Sequence, residues 1–103
     1  MKTLEVTVVR IYLNEQSGQL ESVLRHLHDG EKLRGVTVFR GISGFGDSGE
    51  ILSARLMDLS LNLPVVVEFF DEPAKVTEII EHLGGSVKPD HILHWTAHVN
   101  QPD

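Results

Sequence analysis

The chain has no cysteine, and that absence removes disulfides, thiolate metal sites and cysteine nucleophiles. It has no apolar run approaching the ~18 residues of a membrane-spanning helix. Its first residues lack the charged start and apolar core of a signal peptide. A cytoplasmic protein without direct membrane insertion is the expectation. Cations are scarce: nine Lys and Arg stand against fifteen Asp and Glu, for a formal net charge of −6. They form no cluster, so nucleic acid is not expected as a partner, because backbone phosphates call for concentrated positive charge. What is present suits a single domain, 1–103, with 41% hydrophobic residues for a core. A chain this short buries a modest fraction of its surface, so association would help stabilise it.

Periodicity orders the elements. Residues 3–13 are rich in β-branched side chains, with Leu4, Val6 and Val8 on one face and Val9, Ile11 and Leu13 on the other. From Ser17, a cap candidate, the period changes. Leu20, Val23, Leu24 and Leu27 form the apolar stripe of a helix that Gly30 can end. A second strand spans 36–42 and a third, nearly continuous in apolar residues, spans 63–70. Asp71-Glu-Pro73 supplies a cap, an acidic residue and a helix-starting proline. Val76, Ile79, Ile80 and Leu83 line the inner face of a second helix, which Gly84 and Gly85 terminate. Residues 91–99 alternate well enough for a fourth strand.

The order β-α-β, long loop, β-α-β predicts an α+β split βαβ, or ferredoxin-like, fold: a four-stranded antiparallel sheet with two helices on one face. Strands one and three are apolar on both faces, although helices cover only one. A half-solvated antiparallel sheet would alternate, so the bare face predicts a homo-oligomer.

The second strand empties into Gly41, Gly44, Gly46 and Gly49, ahead of a connection far longer than the usual 4–6 residues. Glycine permits positive φ or close approach to a ligand, which makes this the candidate site. The plain alternative is a bulge and turn that reverse the chain. Phe45, flanked by glycines, is read first as an anchor pinning the loop to the core and second as a base-stacking platform. Arg40 would pair with a phosphate or form a structural salt bridge to Glu68. Leu52, Leu56 and Leu59 would make a short amphipathic turn, either a partner-binding element or a helix packed on the subunit's own edge.

Three segments carry a family resemblance: Arg10-Ile-Tyr-Leu13, Gly35-Val-Thr-Val-Phe-Arg-Gly-Ile-Ser-Gly-Phe-Gly46, and Leu59-Ser-Leu-Asn-Leu-Pro-Val-Val-Val-Glu68 with Asp71 following. On these the chain resembles, over nearly its whole length, the PII-like bacterial and archaeal proteins catalogued as domain of unknown function 190. Gly44-Phe-Gly46 is also similar to the Gly-Phe-Gly that opens the long loop of the nitrogen-regulatory PII signalling proteins. The resemblance implies a ferredoxin-like trimer, its sheets packed around the threefold axis, that holds an adenine nucleotide between subunits. It implies a cleft lined by Gly44, Phe45, Gly46, Asp47 and Ser48, with Arg40, Gly41 and Lys88 nearby. It further implies that the loop of about 43–60 contacts a partner protein, with a membrane transporter or channel the expected kind.

Departures from the family pattern narrow the ligand. The basic glycine-lysine loop of the PII signalling proteins has no counterpart here, where Gly84-Gly-Ser-Val-Lys-Pro89 offers a single Lys88. The Arg-Gln pair that follows their Gly-Phe-Gly is replaced by Asp47-Ser48. AMP is favoured over ATP, and no cofactor is obligatory. Tyr12 is the sole tyrosine, which argues against control by modifying a loop tyrosine.

The competing class is a divalent-cation tolerance trimer like the CutA proteins, using His91, His94 or His98. His94 and His98 share a strand face and His91 points opposite, while His26 and His28 lie about 200° apart around a helix. Neither group has the spacing of a built metal site, so no metal site is assigned. No nucleophile–base pairing or Walker lysine is present, and Gly41-x-x-Gly44-x-Gly46 fails the dinucleotide fingerprint. An enzyme is not expected.

Overall fold

The computed structural model describes residues 1–33, 35–46, 48–53 and 62–102. β1 (Thr3–Asn14) leads through a 3₁₀ turn at Glu15–Ser17 into α1 (Gln19–Arg25), which continues as a π-helical turn over His26–Gly30. β2 (Thr37–Arg40) precedes a short ribbon of β3 (Ser43–Gly44) and β4 (Leu52–Ser53). β5 (Pro64–Asp71), α2 (Pro73–Leu83), a 3₁₀ turn at Pro89–His91 and β6 (Ile92–Asn100) complete the chain. The main sheet runs β2-β5-β1-β6 with every neighbouring pair antiparallel. This is the ferredoxin-like order expected from the sequence. Among the described residues, no helix is long and apolar enough to cross a membrane.

Several boundaries differ for local reasons. α1 begins two residues after Ser17 because Gly18 takes a left-handed φ of 77°. The Ser17 hydroxyl still serves the helix start, accepting the Gln19 amide at 3.2 Å and donating to the Asn14 carbonyl at 2.7 Å. Asp71 is not the cap of α2. It ends β5, accepts the Glu72 amide at 2.7 Å and pairs with Lys75 at 3.3 Å. Glu72 caps the helix without a side-chain bond and Pro73 opens it. Strand two is shorter than expected, because the chain bends away from the sheet after Gly41 makes one last bond to β5.

One face of the sheet holds the core. Val9, Ile11 and Leu13 of β1 and Val65, Val67 and Phe69 of β5 meet Val23 and Leu27 from the first helix and Val76, Ile79 and Leu83 from α2. The opposite face follows from register, since paired residues share a side. Arg10 sits between Glu68 and Leu93, Tyr12 opposite Val66 and Val66 opposite Phe39, and Val8 between Phe70 and Trp95. Leu4, Tyr12, Phe39, Phe70, Leu93 and Trp95 on this face are all exposed. The Arg10 guanidinium lies 5.5 Å from the Trp95 ring centre and 6.0 Å from that of Phe39. The two-sided apolar strands thus leave a continuous unpartnered surface.

Candidate functional site

Pro64 shapes the glycine run. The Gly41 amide donates to the Pro64 carbonyl at 2.7 Å, extending the β2–β5 pairing by one step. A Cβ on Gly41 would sit 2.8 Å from the Pro64 ring and 3.3 Å from its carbonyl oxygen, and one on Gly44 would sit 3.3 Å from the same ring. The chain bends over this peg, and Ser43 and Gly44 pair with Ser53 and Leu52 outside the main sheet. The Gly49 amide then donates to the Gly46 carbonyl at 2.9 Å, closing a turn with Gly49 at φ 74°. In that turn Ser48 Oγ accepts the Glu50 amide at 3.3 Å. A Cβ on Gly46 would meet nothing within 4 Å. Gly41→Ala should therefore destabilise the fold by about 1–3 kcal/mol through overpacking. Gly46→Ala should stay within about 0.5 kcal/mol. Urea unfolding of both variants checks this, and equal losses would overturn the role of Pro64 as a peg.

The ribbon stands at a cavity of about 180 Å³ lined by Phe45, Gly46, Tyr12, Ser17, Pro64 and His91, among others. Phe45 is 75% exposed. It is therefore not the anchor expected from the sequence, because the ribbon carries it out of the main sheet. Arg40 is also not paired with Glu68. Its Nε meets Glu15 Oε1 at 2.7 Å and a terminal nitrogen meets Oε2 at 3.1 Å, while Glu68 pairs with Arg10 at 2.8 Å. The Arg40 fork, then the Leu63 amide, hold the Glu15 carboxyl below the usual carboxylate range. Lys88 is exposed in the segment leading to His91, whose amide donates to the Lys88 carbonyl at 2.9 Å. The structure thus brings Phe45 and Gly46 to the cavity, with Gly41 and Gly44 packed behind them on Pro64. Arg40 is committed to Glu15. Asp47 and residues 54–60 of the partner loop, with Leu56 and Leu59 among them, lie outside the described residues.

A second cluster lies elsewhere. His26 Nε2 and His82 Nδ1 stand 2.7 and 2.8 Å from the same oxygen, Oε2 of Glu31. Among the described residues, this is the group of three whose side chains could hold a metal ion, with ligand atoms within 4.8 Å of one another. Partial burial pushes the Glu31 carboxyl up, but the hydrogen bonds from His82 and His26 outweigh it and leave it below its ordinary value. The Glu31 carboxylate in turn raises His82. Sequence reasoning missed this trio because His26 and Glu31 are five apart, a spacing that an α-helix does not bring together. The helix-breaking glycine at 30, just before Glu31, was the available hint.

Sheet order and helical layer define a ferredoxin-like fold. The structure superimposes with a TM-score of 0.75 on CPII, a nitrogen regulatory PII-like protein from Thiomonas intermedia K12. The match covers 98% of this chain and 93% of that one at 18% identity. The chain belongs to the family DUF190, described as Uncharacterized ACR, which matches residues 6–99. A UPF0166 protein of Aquifex aeolicus (strain VF5) is 35% identical over 89 residues, covering 82% of this chain and 85% of the relative. Another, from Methanocaldococcus jannaschii, is 27% identical over 95 residues, covering 87% and 86%.

Proposed function

We propose that the protein is a non-enzymatic trimeric sensor that binds an adenine nucleotide, AMP in preference to ATP, at the cleft beneath the glycine ribbon. The observation that carries this reading is the cavity at the foot of the ribbon, with Phe45 and Gly46 on its wall. The fold supports it, since CPII was crystallised with ADP, AMP and bicarbonate. Exposed Phe45 is free to stack on a base, and the glycine backbone can approach a ligand closely. Charge decides between nucleotides. Arg40 is engaged by Glu15, and Lys88 is the one cation of segment 84–91 in a chain of net charge −6. A monophosphate asks less of such a site than a triphosphate with magnesium. In a trimer the bare sheet faces meet at the axis and the cleft lies between subunits. Ligand binding then alters the loop of about 43–60, which meets a partner protein, a transporter or channel being the kind the family resemblance suggests.

The test is a thermal-shift titration of the purified protein with AMP, ADP and ATP, with and without magnesium. Ligand at a hundred times its Kd adds about 2.7 kcal/mol, a shift of several degrees for a domain of this size. The expected result is a clear shift with AMP and little with ATP–magnesium. Phe45→Ala should weaken AMP binding about tenfold, since stacking on an aromatic is worth about 1–3 kcal/mol. A flat response to every nucleotide would overturn the sensor reading.

A further inference from the structure

The geometry points to a divalent-metal site at His26, Glu31 and His82 that takes a borderline first-row cation, zinc foremost. The site is separate from the nucleotide cleft, since none of its residues lines that cavity. It is built by an irregularity of the backbone. After Arg25 the helix widens to a π turn, and the Glu31 amide donates to the His26 carbonyl five residues back, at 3.0 Å. In a continued α-helix these two residues would point about 140° apart. In the π turn their side chains meet at 2.7 Å. Such π turns recur at functional sites. Gly30 packs on the His26 ring, with its would-be Cβ 3.5 Å from Nδ1. The third ligand comes from a different element: His82, in the last turn of α2, reaches the same Glu31 oxygen. The two imidazoles stand edge-to-face, with centroids 6.3 Å apart.

The donor set fits the ion. Two imidazole nitrogens and a carboxylate oxygen, without thiolate, suit zinc and its first-row neighbours. Bond lengths near 2.0–2.2 Å require tetrahedral ligands to stand about 3.3 Å apart. The two contacts to the Glu31 oxygen, at 2.7 and 2.8 Å, are therefore about half an ångström too tight, and the metal would replace the two N–H protons shared with Glu31. The shielding is graded suitably: the Glu31 side chain is 11% exposed, His26 38% and His82 56%. The carboxylate is held in place, while the outer histidine can swing and leaves a coordination position open to water. A bound ion would tie the π turn to the end of α2.

The test uses the full chain, stripped with a chelator and titrated with zinc alone and with cobalt(II) alone. The expected result is one ion per chain, with visible cobalt bands of a low-coordinate nitrogen–oxygen site and a thermal midpoint raised by zinc. Glu31→Gln and His82→Gln should each lower affinity at least tenfold. His82 is exposed, so its variant tests the site even if Glu31→Gln disturbs folding. A triple change of His91, His94 and His98 to Gln should leave affinity unchanged. No saturable binding, binding indifferent to His82→Gln, or binding lost with the strand histidines would each overturn the site. The AMP response of His82→Gln should match that of the unaltered protein, which keeps the two proposals separable.

Discussion

In the proposed trimer, replacing Trp95 by aspartate is expected to separate the three chains. Sedimentation or light scattering reads this as a fall in mass to that of one chain. Trp95 lies on the sheet face away from the helices, opposite Val8 in β1, with Phe70 beyond it on β5. Leu93 and Phe70 beside it are 50% and 53% exposed. Sealing a large apolar side chain from water contributes about 1.5–3 kcal/mol, and the symmetry of the proposed trimer multiplies each contribution. An aspartate there would be buried beside an Arg10 already engaged by Glu68, and burying a charge costs several kcal/mol per ion. The chain should still fold, because Trp95 takes no part in the helix-side core. Trp95→Phe should keep the assembly. If Trp95→Asp matches the mass of the unaltered protein, the bare face is not the contact between subunits.

The fold was legible because its signals are one-dimensional. Strand alternation and helical stripes depend on neighbours in sequence, and of the four inner-face residues the period predicted in α2, Val76, Ile79 and Leu83 are buried and Ile80 partly so. The bare face was legible for the same reason, since a strand such as β1 shows its second apolar set directly. The candidate site was legible only in part. Gly41 and Gly44 stood out as glycines, but what requires them is the Pro64 ring, a contact across strands. The partner of Arg40 was misplaced because Glu68 and Glu15 are equally plausible in sequence. Register decides the matter: Arg10 is directly opposite Glu68, and Arg40 is directly opposite Val65, on the other side of the sheet. Phe45 was misread because an aromatic between glycines normally seeks the core, whereas the ribbon turns it out. The His26–Glu31–His82 trio was invisible because it depends on a π turn and on a distant helix end.

Ile11→Ala is expected to remove a large part of the stability of the individual chain. Ile11 is fully buried at the centre of β1, directly between Val67 and Ile92. It belongs to the core cluster with Leu27, Ile79 and Val76. Truncating such a residue forfeits its transfer free energy and leaves a cavity, at a cost of about 2–5 kcal/mol. Domains of this size hold about 5–15 kcal/mol in all, and each kcal/mol moves Tm by about 4–8 °C. Urea or thermal unfolding should show the loss at every protein concentration, because the cavity lies inside one chain. The next residue provides the contrast. Tyr12 faces the other way and is 43% exposed in the single chain, so Tyr12→Ala should act mainly on assembly. Its effect should therefore shrink as protein concentration rises, because association stabilises by mass action. A loss below about 1 kcal/mol for Ile11→Ala, well under the usual cost of a buried cavity, would mean that β1 does not seal this core. Concentration dependence in Ile11→Ala, with none in Tyr12→Ala, would mean that the two faces had been assigned the wrong way round.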